Sequence, residues 1–325
     1  MKNLIVIIPA FNEEATIREV LKRMPDLLDK KINLFPTVID DGSTDRTAEI
    51  ARKCGAKVIS HGTNQGVGKS FHDGLEYAID QNADILVNID ADLQYAPEDI
   101  NLLIQPILDN QADFVTADRF THLNAKTMRP KDMPKIKFWG NQQMTSLVNW
   151  LAGTNLGDVS SGFRAINREA ILNLNLSGKY TYTHETIIDL GFKGLRLVSI
   201  PIKVKYFPDR KSRVAGNLFQ YTNRALRIIF KAFRDYRPFY FFSLLAAIPF
   251  VFGTGCLIFT IIHYYSTGDF SPYIFVAFSA VYLLSLGLAL IIIGFLADIL
   301  VGIRITGEKQ LYLQKKSQYS KKTFE

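Results

Sequence analysis

Residues 4–14 read LIVIIPAFNEE and join an apolar run to a polar loop. The run from Leu4 to Ile8 is wholly apolar, and Pro9 ends it too early for the core of a signal peptide with its cleavage site. A short continuous apolar run is typical of a strand that is fully buried. We therefore predict a strand that leads into a loop carrying Phe11, Asn12 and Glu13.

Strand-like and helix-like segments alternate through the first two hundred residues. The strand-like segments after the first are residues 35–39, 57–60 and 85–89, and the helix-like segments are residues 14–24, 45–53 and 69–81. This alternation predicts an α/β fold with a mostly parallel sheet covered on both faces. Ligands of such sheets bind beyond the carboxyl ends of the strands.

A pair of aspartates follows the second predicted strand in VIDDGSTDRTAEI, residues 38–50. Carboxylates of Asp40 and Asp41 can accept hydrogen bonds from ribose hydroxyls or from a base N–H at that position. Ser43 and Thr44 resemble N-cap residues of the next helix. Taken alone, the segment also fits an ordinary turn with a helix cap.

The segment VNIDADLQYAPED, residues 87–99, places Asp90, Asp92 and Gln94 two residues apart after a strand. In an extended segment, side chains two apart point the same way. Two carboxylates and an amide oxygen suit a hard divalent cation, and a nucleotide diphosphate would complete its coordination. A single DxD is common in turns, so the signal depends on the two earlier polar loops at strand ends.

The loop NQGVGKS, residues 64–70, resembles a phosphate-binding P-loop. The full pattern needs a glycine where Thr63 stands, and Gly62 is one place away. An NTPase is therefore disfavoured. Gly66 and Gly68 instead suit a close approach of the backbone to a strand or substrate.

Two long apolar stretches follow, residues 239–265 and 272–303. Each exceeds the roughly 20 residues that a helix needs to cross a bilayer, although a pair of buried core helices is the alternative. Lys and Arg are absent from the connection, residues 266–271, and concentrate on the two outer flanks: Arg224, Arg227, Lys231, Arg234, Arg237, Arg304, Lys309, Lys315, Lys316, Lys321 and Lys322. The positive-inside rule then predicts a multi-pass protein of the cell (inner) membrane, with the α/β domain and both termini cytoplasmic.

Residues 218–236 mix basic and large apolar residues at helical spacing, which predicts a helix on the membrane surface. An amphipathic helix packed on the soluble domain is the alternative. The tail KKSQYSKK, residues 315–322, is expected to be disordered. The predicted organisation is an α/β domain (1–215), a juxtamembrane amphipathic helix (216–237), two transmembrane helices (238–304) and a basic cytoplasmic tail (305–325).

Composition narrows the possible partners. The 325 residues are 48% hydrophobic and 21% charged, with a net charge of +7. This balance suits nucleic acid, anionic lipid or phosphorylated small molecules. Nucleic acid is disfavoured because the basic residues concentrate at the membrane flanks and in residues 126–137. Cys54 and Cys256 form no metal-ligating or disulfide pattern, which fits a reducing compartment.

The motifs PAFNEE, DDGSTD, NQGVGKS, DADLQ and SGFR, in this order, resemble the family 2 glycosyltransferases of the GT-A fold (Rossmann-like, with a mostly parallel sheet). The similarity covers about residues 3–215 and is strongest to the dolichyl- and polyprenyl-phosphate sugar synthases. The resemblance implies an inverting, single-displacement enzyme that uses Mg²⁺ or Mn²⁺. It would transfer a sugar from a nucleotide-sugar, UDP favoured over GDP, to a polyprenyl phosphate in the membrane. It also implies a homo-oligomer.

The resemblance further implies roles for individual residues. The nucleotide-sugar would be bound by Pro9, Phe11, Glu13, Asp40, Asp41, Asp90, Arg210 and Lys211, and the metal by Asp90, Asp92 and Gln94. The acceptor phosphate would be bound by Arg119, Lys135, Lys137, Ser161 and Arg164, beside a mobile basic loop with Lys126, Arg129 and Lys131. The catalytic set would be Asp92, Arg119, Asp158 and Arg164. His184 and Glu185 fit either a sugar- or acceptor-facing pair or a helix cap.

The family places a catalytic base where Asp158 stands. The acceptor is a phosphate monoester whose second pKa is about 6, so it needs little deprotonation near neutral pH. Asp158 could equally orient Arg164 or the incoming phosphate.

Two rival functions share some of these features. A processive polysaccharide synthase would need a QxxRW motif, whereas Gln220 is followed by Asn223 and Arg224 without Trp, and would need more than two spans. A non-catalytic membrane accessory is disfavoured by the intact Asp90, Asp92 and Arg119.

Overall fold

The computed structural model describes residues 1–25, 31–121, 128–130, 133–175, 182–205, 230 and 233–322. The chain divides into two compact units, one formed from residues 1–225 and 311–325 and the other from residues 226–310.

Before residue 226, the described part of the first unit contains seven strands and seven α-helices. The strands are β1 (Lys2–Ala10), β2 (Ile32–Asp40), β3 (Lys57–Ser60), β4 (Ile85–Asn88), β5 (Phe114–Asp118), β6 (Arg164–Asn167) and β7 (Leu197–Pro201). The helices are α1 (Ile17–Lys22), α2 (Thr47–Lys53), α3 (Val67–Asp80), α4 (Ile100–Leu108), α5 (Lys135–Ala152), α6 (Arg168–Asn173) and α7 (Tyr182–Phe192).

The strands form one sheet in the order β3-β2-β1-β4-β6-β5-β7. Strands β3, β2, β1 and β4 pair in parallel, as do β5 and β7, while β6 runs antiparallel to both of its neighbours. The prediction of a mostly parallel α/β sheet is confirmed. Because β6 is reversed, its first residue lies at the same edge as the last residues of β1, β2, β3, β4 and β5.

The core explains why the first strand forms. Residues Leu4 to Ile8 of β1 are each at most 2% exposed. Successive strand residues point to opposite faces, so both faces of the sheet are covered here. The run that opens the sequence therefore forms a central strand, as its lack of polar residues predicts.

Two helix starts differ from prediction. Helix α1 begins at Ile17 rather than near Glu14, because the backbone carbonyl of Glu13 accepts from the amides of both Thr16 and Ile17 and holds a loop there. Helix α2 begins at Thr47, and its amide donates to Asp45 (2.9 Å). Asp45, not Ser43 or Thr44, thus satisfies the start of this helix.

The second unit contains α8 (Pro238–Thr267) and most of α9 (Ile274–Lys322). Both are long and apolar enough to cross a membrane, with mean hydropathies of 2.2 and 2.6. They pack through glycines: a Cβ on Gly253 would lie 3.0 Å from Leu283 Cβ, and one on Gly287 would lie 2.9 Å from the Phe250 ring. Small residues at such contacts let two helices approach closely in lipid.

Helix α9 continues beyond the predicted end of the second span. It reaches Lys322, so the tail KKSQYSKK, expected to be disordered, is helical. Within the first unit, the Tyr312 hydroxyl donates to Glu169 (2.7 Å) and the Lys315 ammonium donates to the carbonyl of Leu174 (3.0 Å). These bonds join the tail to residues far away in the sequence, so the composition of the tail does not predict them. Most of the predicted juxtamembrane helix lies outside the described residues.

Candidate active site

One edge of the sheet collects the polar residues singled out from the sequence. The parallel strands β1, β2 and β4 end there, followed by the loops that begin at Phe11, Asp41 and Ile89. Strand β5 ends at the same edge and is followed by Arg119. The reversed β6 starts there at Arg164, opposite Asn88 of β4 and Thr116 of β5. This edge is the candidate active site.

The loops after β1 and β2 are joined by hydrogen bonds. The amide of Asn12 donates to the Ser43 hydroxyl (3.0 Å), and the Asn12 side chain accepts from the amide of Thr44 (2.8 Å). The amide of Glu13 donates to the Thr47 hydroxyl (2.8 Å). Asn12 adopts a φ of 55°, a left-handed conformation that Asn tolerates. NEE and DDGSTD therefore form one surface, with Pro9 and Phe11 half-buried beside it.

Asp40 and Asp41 are both buried at this surface, each 4% exposed. Asp40 accepts from the amide of Ser43 (3.1 Å). Asp41 accepts from the amides of Gln65 and Gly66 and contacts the His61 ring, each at 2.8 Å. The sequence analysis missed His61, although it follows directly on β3 and so stands at the same edge as the predicted residues.

Asp90 and Asp92 lie together after β4, in a turn rather than the expected extended segment. Leu93 adopts a φ of 59°, and Asp92 accepts from the amide of Gln94 (3.0 Å). Burial, and next the charge of Asp92, raise the pKa of Asp90 to about 7. The Gly162 backbone approaches this carboxylate so closely that a Cβ there would lie 2.8 Å from Asp90 Oδ2.

Arg119 and Asp158 form a bidentate ion pair. Arg119 Nε and Nη2 donate to the two oxygens of Asp158 at 2.5 and 3.0 Å. Asp158 is completely buried and also accepts from the amide of Ser160 (2.9 Å). Its partner is Arg119, not the Arg164 considered from the sequence.

Lys137 brings a second cation to Arg119. Burial, and next the charge of Arg119, lower the pKa of Lys137 below its usual range. The Lys137 ammonium has no hydrogen-bond or ion-pair partner among the described residues. Lys135, two residues earlier on α5, is exposed. Two neighbouring cations, one of them held by Asp158, form a site that suits an anion.

Arg164 and Ser161 are predicted to bind the acceptor phosphate, but their positions in the structure do not suit that role. The Arg164 guanidinium is completely buried and donates to the carbonyls of Ser161, Thr183 and Val159 at 2.7, 2.7 and 3.0 Å. The hydroxyl of Ser161 bonds that of Tyr95 (2.9 Å) and is also buried. Both residues hold the loop before β6 in shape, and neither is open to an incoming phosphate.

His184 lies at the start of α7, beside the same loop. Its Nε2 is 3.4 Å from the Ser160 hydroxyl. Burial, and next the charge of Arg164, lower the pKa of His184 to about 4, so the ring is neutral at neutral pH. Glu185 is half-buried on the same turn. Lys126, Lys131, Arg210 and Lys211 lie outside the described residues.

The chain matches the family model "Glycosyl transferase family 2" over residues 5–174. An uncharacterized protein of Methanocaldococcus jannaschii is 34% identical over 213 residues, covering 65% of this chain and 84% of the relative. A UDP-N-acetylglucosamine–dolichyl-phosphate N-acetylglucosaminyltransferase of Methanococcus voltae is 33% identical over 225 residues, covering 63% and 86%.

The fold is also that of a synthase whose structure has been solved. The structure of glucosyl-3-phosphoglycerate synthase from Mycobacterium tuberculosis, a complex with Mn²⁺, UDP-glucose and phosphoglyceric acid, matches with a TM-score of 0.54 and 24% identity. The match covers 71% of this chain and 79% of that one. The sequence match extends from β1 through α6 and contains every motif of the sheet edge described above: the chain belongs to glycosyl transferase family 2.

Proposed function

We propose that the protein transfers a sugar from a nucleotide-sugar to a polyprenyl phosphate, with UDP favoured over GDP as the donor nucleotide. One observation carries this proposal. Two cations, Arg119 and Lys137, lie on one side of the sheet edge, and two carboxylates, Asp90 and Asp92, lie on the other. A relative that carries UDP-N-acetylglucosamine and dolichyl phosphate in its name supports both the donor and the acceptor class.

The donor side fits a divalent cation, Mg²⁺ or Mn²⁺. Asp90 and Asp92 are hard oxygen ligands of like charge, and the raised pKa of Asp90 reflects burial and a repulsion that a cation would relieve. Gln94 in the same turn could add an amide oxygen. A bound cation would neutralise charge on the departing diphosphate. Residues of the interlocked loops, Phe11 and Glu13 among them, would bind the nucleoside.

The acceptor side fits a phosphate monoester. Lys137 and Arg119 offer two positive charges, and Asp158 fixes the Arg119 guanidinium. Such an acceptor, with a second pKa of about 6, is already anionic near neutral pH. We therefore assign Asp158 to orienting Arg119, because both of its carboxylate oxygens bond that guanidinium and the acceptor needs little deprotonation. The residues of this side position two anions and neutralise their charge.

The proposed reaction is a single displacement with inversion. An oxygen of the acceptor phosphate forms the new bond to the anomeric carbon. The bond from that carbon to the donor diphosphate breaks, and the nucleoside diphosphate leaves with the electron pair. The products are a polyprenyl-phosphate sugar and the nucleoside diphosphate.

The apolar helices support a membrane location for the acceptor. Large apolar side chains such as Phe252, Phe278 and Ile299 are more than half exposed, as in a lipid-facing hairpin. Arg234, Arg237 and Arg304 flank the apolar stretches, which by the positive-inside rule favours a cytoplasmic catalytic domain and cytoplasmic termini. A homo-oligomer stays a prediction of the family resemblance, testable by native mass spectrometry in detergent.

The test is transfer of radiolabel from UDP- and GDP-sugars to undecaprenyl phosphate in membranes, with Mg²⁺ or Mn²⁺ and then with EDTA. We expect label in the lipid extract from one donor, only with metal, and none from Asp92→Ala protein that remains folded and membrane-bound. Label in a growing polymer would indicate a processive synthase instead. No label from any donor with intact protein would contradict the proposal and favour a non-catalytic accessory.

A further inference from the structure

His61 bridges two carboxylates beside the candidate donor site. Its Nδ1 lies 2.8 Å from Asp41 Oδ1, and its Nε2 lies 2.8 Å from Asp73 Oδ2. The His61 side chain is 7% exposed. Both ring nitrogens of His61 are therefore engaged by carboxylates, and the imidazole links the loop after β2 to α3.

Asp73 is itself held on α3. The Lys69 ammonium, one turn earlier on the same helix, bonds the other oxygen of Asp73. Burial alone would raise the pKa of Asp73, but the hydrogen bond and charge of Lys69 hold it below its usual range. The four side chains form a continuous chain of polar contacts from Lys69 through Asp73 and His61 to Asp41.

Asp41 has little acceptor capacity left at the other end of this line. A carboxylate offers about four acceptor positions. Oδ1 of Asp41 accepts from the amide of Gln65 and from His61, while Oδ2 accepts from the amide of Gly66. One position therefore remains, on Oδ2, and the three bonds fix its direction.

We propose that His61 is a positioning residue for donor binding: it fixes Asp41 so that the remaining position on Oδ2 meets a hydrogen-bond donor of the nucleoside. The proposal rests on the nucleotide-sugar donor proposed above. His61 does not touch the reacting atoms, so its loss weakens nucleotide binding and leaves the chemical step unchanged. A role confined to joining β3 to α3 would instead lower stability and turnover together.

The variants are His61→Gln, which can keep one of the two bonds, and His61→Arg, which can donate to both carboxylates. His72→Gln is the matched control. His72 lies on α3 next to Asp73 but does not reach Asp41. Affinity for UDP and for GDP with Mn²⁺ would be measured by calorimetry on the full-length protein in detergent. Donor KM, acceptor KM and kcat would be measured alongside.

Loss of a charge-assisted hydrogen bond predicts a rise of about 10- to 100-fold in nucleotide Kd and donor KM for His61→Gln. We expect kcat and acceptor KM to stay near the parent values, His61→Arg to recover most of the affinity, and His72→Gln to behave as the parent. Unchanged nucleotide Kd in His61→Gln would overturn the proposal, as would a joint loss of melting temperature, kcat and both KM values.

The nucleotide-binding measurement distinguishes failure of this proposal from failure of the proposed function. Nucleotide affinity that depends on His61, in a protein that labels no polyprenyl phosphate, would uphold the positioning role and reject the acceptor. No affinity of the parent protein for either nucleotide would overturn both.

Discussion

Arg119 and Asp158 lie 39 residues apart in the chain and meet as a buried bidentate ion pair, with Nε–Oδ2 and Nη2–Oδ1 distances of 2.5 and 3.0 Å. Their side chains are 12% and 0% exposed. The family resemblance suggests Asp158 as a catalytic base, whereas in this structure Asp158 holds the guanidinium of Arg119 in place. This assignment can be separated from base catalysis by experiment.

Asp158→Asn should lower kcat/KM for the acceptor by about 100-fold, because a misplaced group commonly costs that much in rate. The remaining activity should keep the pH dependence of the parent, since no proton acceptor is lost. Steady-state kinetics across neutral pH in detergent micelles would measure both. A variant whose remaining rate loses its dependence on pH would instead identify Asp158 as the base.

Lys137→Gln should raise the acceptor KM by about 10-fold, because it removes a cation that Arg119 alone cannot replace. Donor KM should not change, and Lys137→Arg should keep most of the affinity. Lys135→Gln is the control, since Lys135 is exposed on the same helix and should have a smaller effect. Equal effects of the two glutamine variants would contradict the assigned anion site.

Asp113→Asn should destabilise the first unit by about 1–3 kcal/mol, the cost of leaving bonded polar groups without their partner. Asp113 accepts from the Arg196 amide and guanidinium at 2.9 and 3.0 Å and from Asn167 at 2.8 Å. Hydrogen bonds from Arg196 lower the pKa of Asp113 below the unfolded value of about 3.9. Its stabilising effect is therefore complete above that value and is lost as the pH falls through the folded pKa.

The measurement is the difference in melting temperature between parent and Asp113→Asn from pH 7 downward. That difference should be constant to about pH 5 and shrink below pH 4. Glu98→Gln removes the exposed Arg23–Glu98 pair and should cost less than about 1 kcal/mol. A difference that grows as the solution is acidified would contradict the assignment.

Gly253→Leu should disrupt the hairpin, because even a Cβ there would lie 3.0 Å from Leu283 Cβ. Overpacking of this kind typically costs about 1–3 kcal/mol. Gly255→Leu is the matched control on the same helix, since a Cβ at Gly255 meets nothing within 4 Å. Thermal stability in detergent should fall for the first variant only, and equal loss in both would argue against the α8–α9 contact.

Local patterns were sufficient to predict β1 to β4 and the polar loops that follow β1, β2 and β4, but not β5, β6 or β7. The run Leu4 to Ile8 could only be a buried strand, and the rule that parallel strands end together brought Asp41 and Asp90 to one edge. Partners far apart in sequence could not be predicted that way. The family resemblance assigned Arg164 to the acceptor phosphate, yet in the fold it donates to three carbonyls.

The missed features share a physical cause. His61 and the helical tail each depend on tertiary partners, Asp73 and Glu169 respectively, that periodicity does not encode. The turn at Asp90 to Gln94 depends on a left-handed Leu93, a conformation rarely adopted by leucine and invisible in composition. Sequence reasoning placed polar residues at one edge of the sheet, and packing decided which of them are buried and what they bond.

The reversal of β6 would make the proposed acceptor site exchangeable. Strands β5 and β6 are hydrogen-bonded neighbours, with Thr116 opposite Arg164. The chain between them therefore leaves the sheet and returns to it at adjacent points, and it carries Arg119, Lys137 and Asp158. A graft of residues 119–163 from a relative with another acceptor would begin and end on the same two strands. Acceptor preference could then be transplanted between enzymes while the donor-binding loops after β1, β2 and β4 stay in place.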